Sequence, residues 1–129
     1  MWWVYVIGPT CGWPVKVGYS RNLVRRLAQI QYGAQDELML FKKFPVETKS
    51  AAIRMERLVH KELDLMNGTK WKDRKLRRTG EWFNVFSDDA IAVATKAFDY
   101  QNKLAALIDN GKWGEEKSSF YGYIDDVAA

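Results

Sequence analysis

Trp2 to Ile7 is a run of aromatic and β-branched residues without a helical period, closed by Gly8-Pro9, and it predicts a first strand. Thr10-Cys11-Gly12-Trp13-Pro14 is turn chemistry, and Val15-Lys16-Val17-Gly18 predicts a second strand that folds back on the first as a hairpin. Ser20 or Asn22 then caps a helix whose Leu23, Leu27 and Ile30 share one face and which Gly33 ends. Glu37 to Phe44 predicts a third strand ended by Pro45. Thr48 or Ser50 caps a long helix reaching about Met66, with Ala52, Met55, Val59, Leu63 and Met66 as its apolar stripe. After the polar stretch Asn67 to Arg78, Gly80 to Val85 predicts a short strand or turn. Ser87-Asp88-Asp89 opens a last helix to about Ile108, with Ile91, Ala94, Phe98, Ala105 and Ile108 on one side. The order predicts an α/β (α+β) domain: a small, mostly antiparallel three-stranded sheet flanked by helices, with a C-terminal helical extension.

The 129 residues suit one domain with a small core, and 47% hydrophobic and 28% charged residues are ordinary globular values. Charge is divided unevenly. Residues 1–87 carry 16 Lys/Arg against 8 Asp/Glu, whereas residues 88–129 carry 4 Lys against 8 Asp/Glu. A basic body suits a polyanionic partner, because phosphates neutralised by Lys and Arg release counterions. Aromatics at 14%, six of them Trp, serve a core, an interface or a platform on which bases stack. Cys11 is the only cysteine, so neither an internal disulfide framework nor a cysteine-based zinc cluster is available. With no apolar run of membrane-spanning length and no signal-peptide pattern at Met1-Trp2-Trp3, the chain is expected to be soluble and cytoplasmic.

The order and spacing of several residues change this picture. Tyr5 stands in Val4-Tyr5-Val6 on the first strand, and Lys16-Val17-Gly18 begins eleven residues later on the second. Arg26 follows Gly18 by eight residues, Glu56 lies in Met55-Glu56-Arg57-Leu58 on the long helix, His60 is one turn further, and Asn84 closes Glu81-Trp82-Phe83-Asn84. Together these resemble the GIY-YIG nuclease superfamily over roughly residues 2–86. The nearest branch is the short phage and microbial one, described as a DNA-binding domain, with its lysine-led second motif. The first motif departs from Gly-Ile-Tyr but keeps the tyrosine, and Lys16 replaces the commoner second tyrosine.

The resemblance implies a divalent-metal-dependent endonuclease that hydrolyses phosphodiester bonds in DNA, RNA not being excluded. It implies a catalytic set of Tyr5, Lys16, Arg26, Glu56, Asn84 and His60, with Glu56 as the metal ligand. It also divides the chain into a nuclease domain, residues 1–87, and a C-terminal helix and tail, residues 88–129.

The chemistry of the residues fits those roles. Hydrolysis needs a nucleophilic water, a way to remove its proton and positive charge at the phosphate. One carboxylate, waters and phosphate oxygens suit Mg²⁺, or Mn²⁺ in its place. Arg26 brings a planar fork for phosphate oxygens. Tyr5 and Lys16 are rival proton acceptors, and Lys16 also serves as charge beside the phenol. Taken singly, each residue has a plainer reading: Tyr5 packs a core, Lys16 and Arg26 are surface, His60 is a packed, hydrogen-bonded ring and Asn84 ties a turn.

Between the long helix and Asn84, the segment Lys70, Trp71, Lys72, Arg74, Lys75, Arg77 and Arg78 is read as a backbone clamp with one stacking aromatic, against the alternative of a solvated loop. Two other function classes stay open. One is a binding module of the same fold with little or no cleavage. The other is an interaction protein whose residues 88–129 form a homodimer or dock a protein partner, with Phe120, Tyr121, Tyr123 and Ile124 as the contact.

Overall fold

Val4, Tyr5, Val6 and Ile7 are all buried, so the first strand, β1 (Trp2–Pro9), has no solvent face. A strand covered on both sides loses the alternation of apolar and polar residues, which is why this stretch reads as a continuous apolar run. The computed structural model describes residues 1–67 and 82–109. Within them, β1 pairs antiparallel with β2 (Val15–Ser20) on one side and β3 (Leu38–Val46) on the other. A fourth strand, β4 (Trp82–Phe83), pairs with β2 through Val15↔Phe83 and Lys16↔Trp82. The sheet order is β3-β1-β2-β4, so the expected three-stranded sheet is four-stranded. The sequence from Gly80 to Val85 predicts a short strand or a turn, and Trp82–Phe83 within it pairs as a strand.

Alternate residues of β1 go to different cores. Val4 and Val6 join the larger cluster with Val15, Val17, Phe44, Phe83 and two helices, α2 (Lys49–Asn67) and α3 (Ser87–Asp109). Tyr5 and Ile7 join a smaller cluster with Leu23, Leu27 and Ile30 of α1 (Leu23–Tyr32). The sheet is therefore the middle layer, with α1 on one face and α2 and α3 on the other.

Local chemistry sets the element ends. The Asn22 side chain accepts a hydrogen bond from the Arg25 N–H at 3.1 Å, and Thr48 Oγ1 does the same for Ala51 at 3.1 Å, so both helices begin at side-chain caps. The β1–β2 turn needs a glycine at Gly12, where φ is 85°. The Gly12 carbonyl accepts from the Ser87 N–H at 2.8 Å, tying the start of α3 to that turn.

Three expectations change. β3 does not stop at Pro45; it runs to Val46, with Trp3↔Pro45 in register. Among the described residues β3 has one neighbour, β1, and an edge strand is where proline is tolerated in a ladder. Met66 is 47% exposed and leaves the α2 stripe, although Ala52, Met55, Val59 and Leu63 are buried as expected. On α3 the buried line is Ala90, Val93, Ala94, Ala97 and Leu104, whereas Ile91 is only half-buried and Ala105 is exposed. Of the expected face, Ala94 is buried and Phe98 packs on the core with its ring 5.2 Å from Phe44, so the buried face is offset from the expected stripe toward the alanines.

Candidate active site

β4 covers only the first two residues of β2, and past Lys16 the outer edge of β2 meets no strand among the described residues. The long helix supplies a partner there: His60 Nε2 lies 2.8 Å from the Val17 carbonyl. A carbonyl only accepts, so Nε2 carries the hydrogen and donates. Phe83 holds the same ring, with centroids 4.9 Å apart and planes inclined at 55°. Phe83 of β4 thus braces the side chain that reaches the edge of β2.

A groove of about 1040 Å³ runs along this edge. Its floor is Tyr5 and β2 from Lys16 to Ser20. One wall is a single face of α1, where Asn22, Arg25, Arg26 and Gln29 recur at helical spacing. The other wall is one face of α2, with Lys49, Glu56 and His60. Among the described residues, five that line it are Lys or Arg, and Glu56 is the single acid. The groove therefore suits a polyanion everywhere except at one carboxylate.

Tyr5 is 2% exposed and pairs across the hairpin with Gly18. The glycine is required by contact. A Cβ at residue 18 would lie 2.7 Å from Tyr5 Cζ and closer still to its hydroxyl oxygen. The ring crosses over β2 at the one position without a side chain. Burial pushes the phenol up from its ordinary 10.0 to about 12; the Arg26 guanidinium pulls it down, and the Glu56 carboxylate adds to the rise. In the free protein Tyr5 keeps its proton through the neutral range.

Lys16 is buried at 8% exposure, unlike an ordinary lysine on a strand edge. Glu56 and His60 are half-buried, one helical turn apart, with Glu56 Oε1 3.8 Å from His60 Nδ1. That is beyond a hydrogen bond. Among the described residues, no cluster of three or more His, Cys, Asp or Glu side chains is placed to hold a metal. The donor set nonetheless fits a divalent ion of the Mg²⁺ kind, which takes one carboxylate and fills its remaining positions with water and phosphate oxygens.

Of the residues singled out in the sequence, Tyr5, Lys16, Arg26, Glu56 and His60 come together in the groove, from positions 5 to 60 of the chain. Asn84 is not among its lining residues; its Oδ1 accepts from the Trp13 indole at 2.6 Å, at the β1–β2 turn. Lys70, Trp71, Lys72, Arg74, Lys75, Arg77 and Arg78, and the aromatic tail residues, lie outside the described residues. The structure adds Trp2, Tyr19, Arg21, Arg25 and Lys49 to the groove. Arg25 has a signal in the sequence, the polar stripe of α1. Trp2 and Tyr19 have none, since aromatic residues in strands read first as core.

The fold and groove define a small α+β domain with a cationic cleft built around a tyrosine–lysine hairpin and a glutamate-bearing helix. The model of the T5orf172 domain matches residues 3–98, about three quarters of the chain, and the protein belongs to that family. The match extends past β4 into α3, whose Ala90, Val93 and Ala94 are part of the larger core. No curated protein and no solved structure matches the chain. Among the described residues, no helix is long and apolar enough to cross a membrane.

Proposed function

We propose that this protein is a nuclease of the GIY-YIG type that hydrolyses phosphodiester bonds in DNA with the help of a divalent cation. The observation that carries the reading is the convergence of Tyr5, Lys16, Arg26, Glu56 and His60 in one cationic groove. Glu56 would hold the Mg²⁺ or Mn²⁺ ion, which supplies positive charge to the phosphate and the departing oxygen. Arg26, exposed on α1, grips phosphate oxygens and offsets charge that builds during the reaction. Lys16 adds a second, buried cation at the floor. Tyr5 enters as a phenol, positioning the attacking water through its hydroxyl; it becomes a proton acceptor only when added positive charge lowers its pKa from about 12. Neutralising the Glu56 carboxylate acts in that direction, because Glu56 raises that pKa.

The same raised phenol favours the second reading, a DNA-binding module of this family with little cleavage, since a tyrosine that stays protonated is a poor base at neutral pH. Supercoiled plasmid incubated with Mg²⁺, with Mn²⁺ and with chelator separates the two. Nicked or linear product that depends on the cation is expected. Retarded but intact plasmid in every lane would favour the binding module and discard the nuclease.

A further inference from the structure

The proposed reaction leaves one part of the groove without a role. Val4 and Tyr19 are directly opposed in the β1–β2 ladder, and Trp2 stands two residues before Val4, so Trp2 and Tyr19 share the sheet face that carries α2. Tyr5 and Lys16, opposite Gly18 and Ile7, belong to the other face. The groove thus wraps the outer edge of β2, with the Tyr5–Lys16 floor on one side and two aromatic rings on the other. Both rings are half-buried: they pack on the larger core and also line the groove. Their centroids are 6.1 Å apart and their planes inclined at 51°, so they do not stack on one another.

What lies over the Trp2 ring is the Lys49 ammonium, 5.8 Å from its centroid, on an exposed side chain at the first turn of α2. That is near the outer limit of such contacts, and at an exposed site a cation over a ring is worth about two- to fivefold in an equilibrium constant. A nucleic-acid base stacked on an aromatic ring is worth about five- to 150-fold. A base therefore displaces the ammonium, which is released to a phosphate of the same strand, with Arg21 beside it in the groove lining. In a duplex each base face is covered by the next pair, so only an unpaired base reaches the ring. Lys16 and Tyr19 are three residues apart on β2, about 10 Å, and Lys49 and Glu56 are seven apart on α2, also about 10 Å. At about 3.4 Å per stacked nucleotide this span covers no more than about three nucleotides.

We propose that Trp2 and Tyr19, with Lys49, form a stacking subsite for an unpaired base, so that the protein takes DNA with a single-stranded stretch within about three nucleotides of the bond to be cut. This rests on the reading of the groove as a DNA site given above. The test uses the full chain with chelator present, so that no strand is cut. Fluorescence anisotropy compares a labelled single strand, the same sequence as a blunt duplex, and a strand of abasic spacers that keeps the phosphates and lacks the bases. Trp2→Leu keeps apolar bulk against the core and removes the stacking face. It should weaken single-strand binding by about fivefold or more, and duplex and abasic binding by less than about twofold. Trp2→Phe should restore most of the loss. Neither variant should alter the salt dependence, because no cation is lost, whereas Lys49→Met should lower the single-strand slope of log affinity against log salt by about 0.7. Tyr19→Leu repeats the comparison from the other ring, so that a folding defect at Trp2 does not decide it. Equal losses on single strand, duplex and abasic strand, or no loss on any, overturn the subsite. Plasmid assays in parallel keep the two readings apart. Base-dependent binding through Trp2 without cleavage in any cation leaves the subsite standing and removes the nuclease. Cation-dependent cleavage with single-strand affinity unchanged in Trp2→Leu and Tyr19→Leu does the reverse.

Discussion

The two walls of the groove are built differently. α1 rests on a small cluster, and Arg25 and Arg26 project from it as exposed side chains. α2 is embedded in the larger core through Ala52, Met55, Val59 and Leu63, and between those buried positions it presents Glu56 and His60 half-buried, with His60 tied to the Val17 carbonyl and packed on Phe83. Long exposed cations adapt to a moving phosphate backbone at little cost in precision. A carboxylate and an imidazole on a packed helix hold their places to within the tolerance that chemistry needs. Under the proposed nuclease reading, the contrast gives capture of the polyanion to α1 and the reaction to α2, with Tyr5 and Lys16 of the hairpin between them.

The sharpest way to break that division is Glu56→Ala. It should lower cation-dependent cleavage by about two to three orders of magnitude, the scale seen when a main electrostatic element of a site is removed, while DNA affinity and folding change little. Full cleavage in this variant would mean the carboxylate wall does not carry the reaction. Next in size is Gly18→Ala. The new Cβ would collide with the Tyr5 ring at 2.7 Å from Cζ, and the ring is packed in the cluster beneath α1, so the ring or β2 must shift. Overpacking of this kind destabilises by about 1–3 kcal/mol. Chemical denaturation measures it, and a midpoint equal to wild type would show that the ring is less constrained than its packing indicates.

Most of this architecture is legible in the sequence, and the misses have physical causes. The hairpin, the cap at Asn22 and the α2 stripe from Ala52 to Leu63 follow from local chemistry, which a sequence carries directly. The α3 face is offset from the pattern because its buried line runs through alanines, and weighting by side-chain size favours Ile91 over Ala90. Motif order names Asn84, but order says nothing about which way a residue beside a short strand turns, and its Oδ1 accepts from the Trp13 indole at the β1–β2 turn. Motif order and spacing name Tyr5, Lys16, Arg26, Glu56 and His60, and all five line one groove. The requirement for Gly18 as the place where Tyr5 crosses the hairpin is visible only in the strand register.

The capture wall is tested by Arg25→Ala combined with Arg26→Ala. Each cation withdrawn from a phosphate should reduce the slope of log affinity against log salt by roughly 0.9, so a drop of about 1.8 is expected for the pair. Affinity near physiological salt should fall by about tenfold, and metal binding should be unaffected. If the salt slope stays at its wild-type value, α1 is not the wall that meets the backbone.

The smallest effect concerns the floor between the walls, and it reads the Tyr5 proton without any substrate. The folded phenol titrates at about 12, whereas in the unfolded chain it returns to about 10.0. Between those values the unfolded chain has released the proton and the folded one still binds it, so folding loses stability as pH rises. At neutral pH both states are protonated and Tyr5 adds no pH dependence. At pH 11 the difference reaches about 1.4 kcal/mol, one pK unit's worth of linkage. Urea unfolding at pH 8 and pH 11 should therefore show a loss in wild type that Tyr5→Phe reduces by about that amount, because phenylalanine keeps the ring packed against Gly18 and removes the titrating group. If both proteins lose the same stability over this range, the phenol is not held protonated by burial, and Tyr5 becomes available as the base at a lower pH than the structure indicates.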